Sequence, residues 1–310
     1  MRAMVFTGPG VVEMLDVDCP EPKPGEILVE VAACGICGSE LHGISKPGFR
    51  EPPLVMGHEF SGRTVDGRRV TVNPVISCGT CDRCVAGQEQ LCRSRAIVGI
   101  HRAGAFTSQV AVPENSVHEL PTDLSWEAAA LIEPLANAVH AWGLVDVAEG
   151  ARVGILGAGT IGVVSLLVAQ HYGADVTVVD LAEDRLDQAR TLGASNVATT
   201  LEGEFDVIFD AVGAPATHAA SLAHLRPGGL TVWIGLLSAS ADFDAQDAVR
   251  QEKTVKGSFA YNPRDFATAV ALAPQVNLGW ATSFPLEQGA GIFTELMNGR
   301  SDVVKAVLRP

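Results

Sequence analysis

Through the first 120 residues, apolar positions come in short runs broken by glycine and proline. Arg2 to Phe6, Glu26 to Ala32 and Arg69 to Val72 are β-rich runs between Gly/Pro turns, which predicts strands. Pro20, Pro22 and Pro24 give the strand near Glu26 an abrupt start, and Phe106 to Val112 reads as another strand before Pro113. The pattern changes near Trp126. Ser125 caps a helix continued by Ala128 to Leu131, Pro134 interrupts, and a second helical stretch runs to Leu144. Ser125 and Ala128 do not make a full capping box, so this boundary is soft.

From Arg152 the period becomes strand, helix, strand, helix. "RVGILG" is a buried strand and Thr160 to His171 a helix; "VTVVD" is a strand, and Asp184 to Leu192 a helix ended by Gly193. "FDVIFDAVG" is a strand, Ala214 to Leu225 a helix, "GLTVWIG" a strand and "TVKGSFAY" a late one. Continuous apolar strands separated by helices indicate a parallel sheet covered on both faces. Asp265 to Ala273 and Leu286 to Met297 are further helices, and Val303 to Leu308 is a final strand. The fold class is therefore α/β with two domains: a β-rich part to about Glu133, then an α/β unit to about Ala260. The last fifty residues are too few for a large domain of their own and are expected to return to the first lobe.

At 310 residues the chain is long enough for two ordinary domains, and 47% hydrophobic residues argue against wholesale disorder. A net charge of −14 disfavours a general nucleic-acid or anionic-membrane surface. No basic start followed by an apolar run and a cleavage site opens the sequence, so no secretory signal is expected and a cytoplasmic location is. Ala151 to Gln170 is nearly uncharged and could pass for a membrane span, but its glycines fall in a pattern with another explanation.

That pattern is "VGILGAGTIG", in which Gly157, Gly159 and Gly162 form G-x-G-x-x-G after a strand and at the opening of a helix. Gly157 permits the tight turn, Gly159 lets the backbone approach a pyrophosphate, and Gly162 lets helix and strand pack closely. The helix N-terminus then faces the phosphate charge. Asp180 ends the next strand; it can accept hydrogen bonds from a ribose 2′-hydroxyl and would repel a 2′-phosphate, which indicates NAD(H) over NADP. Thr160, Ile161 and Arg185 are grouped with this cofactor-binding set, as is Lys305, which lies in a late strand and is a candidate for the pyrophosphate. The competing readings are glycines that serve structure alone, Asp180 as a helix cap or surface carboxylate, and Lys305 as a solvated lysine.

There are seven cysteines, and four of them, Cys78, Cys81, Cys84 and Cys92, are spaced C-x2-C-x2-C-x7-C. Four soft thiolates can enclose zinc tetrahedrally, and such a closed shell would fold a lobe with little core of its own, here residues 76–95. An iron–sulfur cluster is the rival, although Arg93 stands where ferredoxin runs place proline; disulfides or free thiols are the remaining options. Cys37 in "CGICGSELH", His58 and Glu59 in "GHEFSG", and Glu133 in "IEPLANAVH" form a mixed set suited to zinc with an exchangeable position, but spacing alone leaves that site open. Cys34 reads as a packed thiol and Cys19 as structural or incidental.

Taken together, "KPGEILVEVAACGICGSELH", "GHEFSG", the four-cysteine lobe, "EPLANAVH", "GAGTIG" and "VVKAVLRP" resemble the zinc-dependent medium-chain dehydrogenase/reductase family over nearly the whole chain, nearest in motif to its sorbitol, butanediol and threonine dehydrogenase branches. The resemblance implies a GroES-like β-barrel catalytic domain over 1–134 and 261–310 and a Rossmann domain over 135–260. It implies two zinc ions per chain, one catalytic and one structural, and a homodimer or homotetramer, with "TVKGSFAY" as a strand that could pair across a two-fold axis. By position Cys37 and His58 match the catalytic-zinc ligands. Glu59 matches a carboxylate that binds zinc or moves in when water leaves. Glu133 matches an acidic position that either ligates or holds a water or substrate hydroxyl. Ser39 matches the hydroxyl that takes the substrate proton and His42 the relay histidine, against plainer readings as a capping serine and a surface histidine. Glu40 stands where the family commonly has Asp as partner of the zinc histidine. The segment "GRTVDGRRV" is abbreviated, and the chain is shorter than most members.

The implied activity is reversible oxidation of a secondary alcohol or polyol to a ketone with hydride transfer to NAD, on a small-molecule substrate and with no nucleic-acid or membrane partner. "VGIHRAGAF", Val98 to Phe106, resembles the threonine dehydrogenase branch, so L-threonine 3-dehydrogenase-like oxidation of an amino alcohol is one alternative. Lyase chemistry on the same scaffold and a non-catalytic zinc/NAD-binding sensor are others.

Overall fold

The ten-residue strand Glu26–Gly35 organises the N-terminal part of the computed structural model, which describes residues 1–46, 48–121, 124–299 and 302–310. The strand pairs antiparallel along one edge with Glu59–Thr64, and along the other with Gln109–Pro113 and then Ala306–Arg309. Arg69–Val72, Val117–Glu119 and Thr282–Pro285 complete a seven-stranded sheet. Met4, Val29, Phe60, Val70, Phe106 and Leu308 are buried in its core. The register opposes Gly35 to Glu59 and Cys34 to Leu308, which brings three distant stretches of chain to one point.

By contacts the chain divides into two compact units, Met1–Glu133 with Tyr261–Pro310, and Pro134–Ala260. In the first, Ser125 caps the helix Trp126–Ala130, its Oγ accepting from the Ala128 amide at 3.1 Å. Pro134 does not interrupt as the pattern suggested. It lies in the first turn of the helix Ile132–Gly143, where a missing N–H leaves no intrahelical bond unmade. The abbreviated segment after Gly62 is a tight hairpin: the Gly67 amide donates to Thr64 O at 2.8 Å, and Ser61 still faces Thr71. The final strand is Ala306–Arg309 rather than Val303 to Leu308.

The second unit is a six-stranded parallel sheet whose strands, numbered in chain order, run 3-2-1-4-5-6, the doubly wound arrangement. The strands are Arg152–Leu156, Asp175–Val179, Asn196–Ala198, Phe205–Asp210, Leu225–Trp233 and Thr254–Gly257. Val153, Ile155, Val178, Val207 and Phe209 are buried in its core, as their continuous apolar runs require. The expected late strand stops at Gly257 instead of Tyr261, because Ala260 adopts φ +49° and Asn262 caps the helix Pro263–Leu272. Tyr261 thus belongs to the first unit. Ala151 to Gln170 resolves into strand, turn and the twelve-residue helix Thr160–His171. Among the described residues no helix is long and apolar enough to cross a membrane.

Candidate active site

Cys37 is the N-cap of the short helix Gly38–Gly43. Its Sγ accepts from the Ser39 amide at 3.5 Å and from Ser39 Oγ at 3.2 Å, while Glu40 Oε2 accepts from the Cys37 amide at 3.1 Å. His58 and Glu59 stand at the start of Glu59–Thr64, opposite Gly35. One ligand atom from each of Cys37, His58 and Glu59 lies within 4.8 Å of the others. Glu40 Oε1 accepts from the Gly57 amide at 2.9 Å and lies 3.3 Å from His58 Nδ1. Burial works against a charged imidazole, but the Cys37 thiolate and the Glu40 carboxylate outweigh it and raise His58 well above its ordinary value. A thiolate, an imidazole and a carboxylate in a field that attracts positive charge suit a zinc ion and leave a coordination position for another ligand.

Lys305, which the sequence offers as a candidate for the pyrophosphate, stands in the first unit against Glu59. It is 2% exposed; its Nζ pairs with Glu59 Oε2 and donates to Ile36 O at 2.9 Å. The pairing of Ala306–Arg309 with Glu26–Gly35 fixes this position. Gly35 makes room for it, since a Cβ there would lie 2.7 Å from Lys305 Cε. Burial opposes the charge on Lys305, yet Glu59 and then Cys37 raise its pKa.

Glu133 is buried beside this group but is not one of the three converging donors. Its Oε1 accepts from the Tyr261 hydroxyl at 2.6 Å. Burial pushes its carboxyl up to about 7, with Glu59 adding to the rise and His58, Tyr261 and Lys305 opposing it. Ser39 is half-buried, and His42, in the last turn of the same helix, is exposed. Sequence reasoning missed Tyr261 and Arg50 as parts of this region. The sequence pattern places Tyr261 at the end of a strand, and nothing in the pattern around Arg50 distinguishes it from a surface arginine.

In the lobe, all four cysteines fall within 4.8 Å of one another. Sγ separations are 3.5 Å for Cys81–Cys84 and 3.9 Å for both Cys78–Cys84 and Cys81–Cys92. A tetrahedron with zinc–sulfur bonds near 2.3 Å has edges of about 3.8 Å, so the four thiols fit the ion. These separations are far beyond a disulfide bond of about 2.05 Å. Backbone N–H groups at Thr80 and Cys81 lower Cys78 to about 6, whereas burial and neighbouring thiols raise Cys84 to about 11. Of the remaining cysteines, Cys34 is buried and Cys19 exposed.

In the second unit Gly157 adopts φ +95°, and its amide donates to Val179 O at 2.7 Å. A Cβ on Gly162 would overlap the Gly157 carbonyl oxygen, whereas the space beside Gly159 is open. Gly159 caps the helix without a side chain, Thr160 and Ile161 are half-buried, and no acidic residue occupies the first turn. Asp180 Oδ2 accepts from the Ala158 amide at 2.7 Å and Oδ1 from the Ala182 amide at 2.9 Å. Arg185 Nη1 lies 3.7 Å from Asp180 Oδ2. Asp180 therefore braces the glycine turn, a role the sequence reading did not anticipate.

A mixed metal-donor set in one unit and a glycine-turned doubly wound sheet in the other define a metal-dependent dinucleotide oxidoreductase. Residues 23–122 match the alcohol dehydrogenase GroES-like domain and residues 160–275 the zinc-binding dehydrogenase family. L-threonine 3-dehydrogenase of Streptomyces avermitilis is 36% identical, over 79% of this chain and 80% of that protein. D-arabitol-phosphate dehydrogenase of Enterococcus avium is 32% identical, over 96% and 95%. A structure described as a zinc-binding dehydrogenase from Sinorhizobium meliloti 1021 bound to NADP shares the fold at TM-score 0.92 and 28% identity, covering 100% of this chain and 99% of that one. The chain belongs to the zinc-dependent medium-chain dehydrogenase family, with a GroES-like domain and a Rossmann-type domain.

Proposed function

We propose that this dehydrogenase reversibly oxidises a secondary alcohol or polyol to the ketone, with NAD as hydride acceptor and two zinc ions per chain. The convergence of Cys37, His58 and Glu59 carries the reading. These three would hold the catalytic zinc, and Cys78, Cys81, Cys84 and Cys92 the structural one. When bound, zinc supplies Lewis-acid polarisation of the alcohol oxygen, and the dinucleotide accepts the hydride. Ser39 Oγ, which donates to Cys37 Sγ, would take the substrate proton as it gives up its own, and the exposed His42 one turn further would carry the released proton to water. Glu133, held by Tyr261, orients a substrate hydroxyl. The helix opening at Thr160 supplies N–H groups to the pyrophosphate, with Ile161 and Gly162 in its first turn, and Asp180 favours a free 2′-hydroxyl over a 2′-phosphate.

The first unit is read as the catalytic domain and the second as the cofactor domain. The exposed edge strand Thr254–Gly257 supports pairing between two copies, which sedimentation would detect. Clustered thiols fit a cytoplasmic setting. The similarity to L-threonine 3-dehydrogenase supports a second reading, oxidation of an amino alcohol. The test is Cys37→Ser assayed with polyols and threonine by reduced-nicotinamide absorbance, with NAD and NADP in parallel and zinc counted by elemental analysis. Loss of turnover and of one zinc is expected. Wild-type turnover in the variant overturns the mechanism, and equal use of NADP overturns the Asp180 assignment.

A further inference from the structure

Arg50 is a buried guanidinium, 4% exposed, with no place in the mechanism above. Its Nε donates to Gly99 O at 3.2 Å, and its Cζ stands 4.9 Å from the centre of the Phe49 ring. A Cβ on Gly43 would come within 3.0 Å of Nη1, so the end of the short helix leaves the head group its space. Nη1 and Nη2 are buried without a hydrogen-bond partner. Nη2 instead points its charge at Glu40, 4.0 Å from Oε1.

Glu40 is fully buried and touches both sides of the metal site. Oε2 takes the Cys37 amide, while Oε1 takes the Gly57 amide and faces His58 Nδ1. A glutamate has three side-chain torsions, and the backbone amides of Cys37 and Gly57 anchor only its oxygens. A cation fixed by Gly99 and Phe49 gives that carboxylate a third, rigid reference. Burying a guanidinium with unpaired N–H groups is costly unless a nearby opposite charge offsets it.

We propose that Arg50 is a positioning residue for the metal site, holding the Glu40 carboxylate so that Glu40 orients the His58 ring and the Cys37 amide. The inference rests on the metal reading of Cys37, His58 and Glu59. Groups that orient a metal-ligating histidine commonly change affinity by roughly 10–100-fold when removed.

The test uses the full chain with cobalt(II) in place of zinc, read by its thiolate charge-transfer and d–d bands, and metal release to a chromophoric chelator. Arg50→Met is expected to speed release from the Cys37 site about tenfold and shift the d–d bands, leaving release from the four-cysteine lobe unchanged. Arg50→Lys keeps a cation but loses the planar fork, and release is expected to be roughly threefold faster. In a Glu40→Gln background neither substitution should add to the effect. If Arg50→Met does not fold, the Arg50→Lys comparison in the two backgrounds decides. Wild-type release and spectra in the foldable Arg50 variants, or the same acceleration with and without Glu40, overturn the proposal. A wild-type protein with no cobalt–thiolate band at Cys37 overturns the metal reading and this inference together, whereas a normal wild-type band with indifferent Arg50 variants overturns this inference alone.

Discussion

The Tyr261 hydroxyl donates a 2.6 Å hydrogen bond to Glu133 Oε1, joining two buried side chains 128 residues apart in sequence. Tyr261→Phe keeps the ring and removes the donor, leaving a buried carboxyl one partner short. A loss of about 1–3 kcal/mol in unfolding free energy is expected, measured by urea titration. The aromatic packing on Phe266 should survive, since it depends on the ring alone. An unchanged midpoint would show that the hydroxyl contributes nothing to holding Glu133.

Glu133 also gives the metal-free protein a pH dependence. Its carboxyl is raised by burial to about 7 from an ordinary value of 4.5. Between those values the folded state keeps a proton that the unfolded chain has released. More protons bound when folded makes the slope of stability against pH negative, so this contribution is fully present below about pH 4.5 and is lost as pH rises through about 7. Glu133→Gln removes the titration. In EDTA its advantage over wild type should grow with pH across that window, by about 1.4 kcal/mol for each unit separating folded and unfolded pKa values. Parallel curves for the two proteins would mean that Glu133 titrates normally.

Short-range chemistry was the legible part of this site. The four lobe cysteines lie within fifteen residues, so spacing alone grouped them; Cys37, Ser39 and Glu40 share one helix start, but it was the family resemblance that gave them roles. The glycine turn was equally local. Pairings set by strand register were not legible. Lys305 and Glu59 are 246 positions apart and meet because the last strand lies beside Glu26–Gly35, so no local spacing pointed to the pair. Tyr261 was hidden because "TVKGSFAY" reads as one strand through to its tyrosine, whereas the strand ends at Gly257 and Ala260 adopts φ +49°. The bracing of the turn by Asp180 went unread because motif logic assigns that carboxylate to the ligand.

Lys305→Met removes the cation from a buried Glu59 carboxylate and a donor from the Ile36 carbonyl. Breaking one side of a buried pair commonly costs about 3–5 kcal/mol, and that loss is expected in EDTA by urea unfolding. With zinc present the loss should be smaller, because the bound ion supplies positive charge to the same carboxylate. The sign of this difference separates two roles. A larger loss with zinc than without would mean that Lys305 supports the loaded site rather than substituting for the ion's charge.

The three glycines of the turn should separate folding from cofactor binding. A Cβ at Gly162 collides with the Gly157 carbonyl inside the protein itself, so Gly162→Ala must push the helix Thr160–His171 off its strand. At Gly157 the φ of +95° and a Val212 methyl 2.5 Å from the new Cβ act together. Gly159 has φ −73° and nothing within 4 Å of its Cβ position, so no contact in the fold explains a glycine there. Beyond its place at the helix N-cap, the glycine gives a ligand space against the backbone. Gly159→Ala is therefore expected to cost no more than the N-cap preference, about 1 kcal/mol of unfolding free energy, while weakening NADH binding, followed by nicotinamide fluorescence, about tenfold or more. Gly162→Ala should lose both together. If Gly159→Ala binds NADH as tightly as wild type, the dinucleotide does not approach the backbone at that residue.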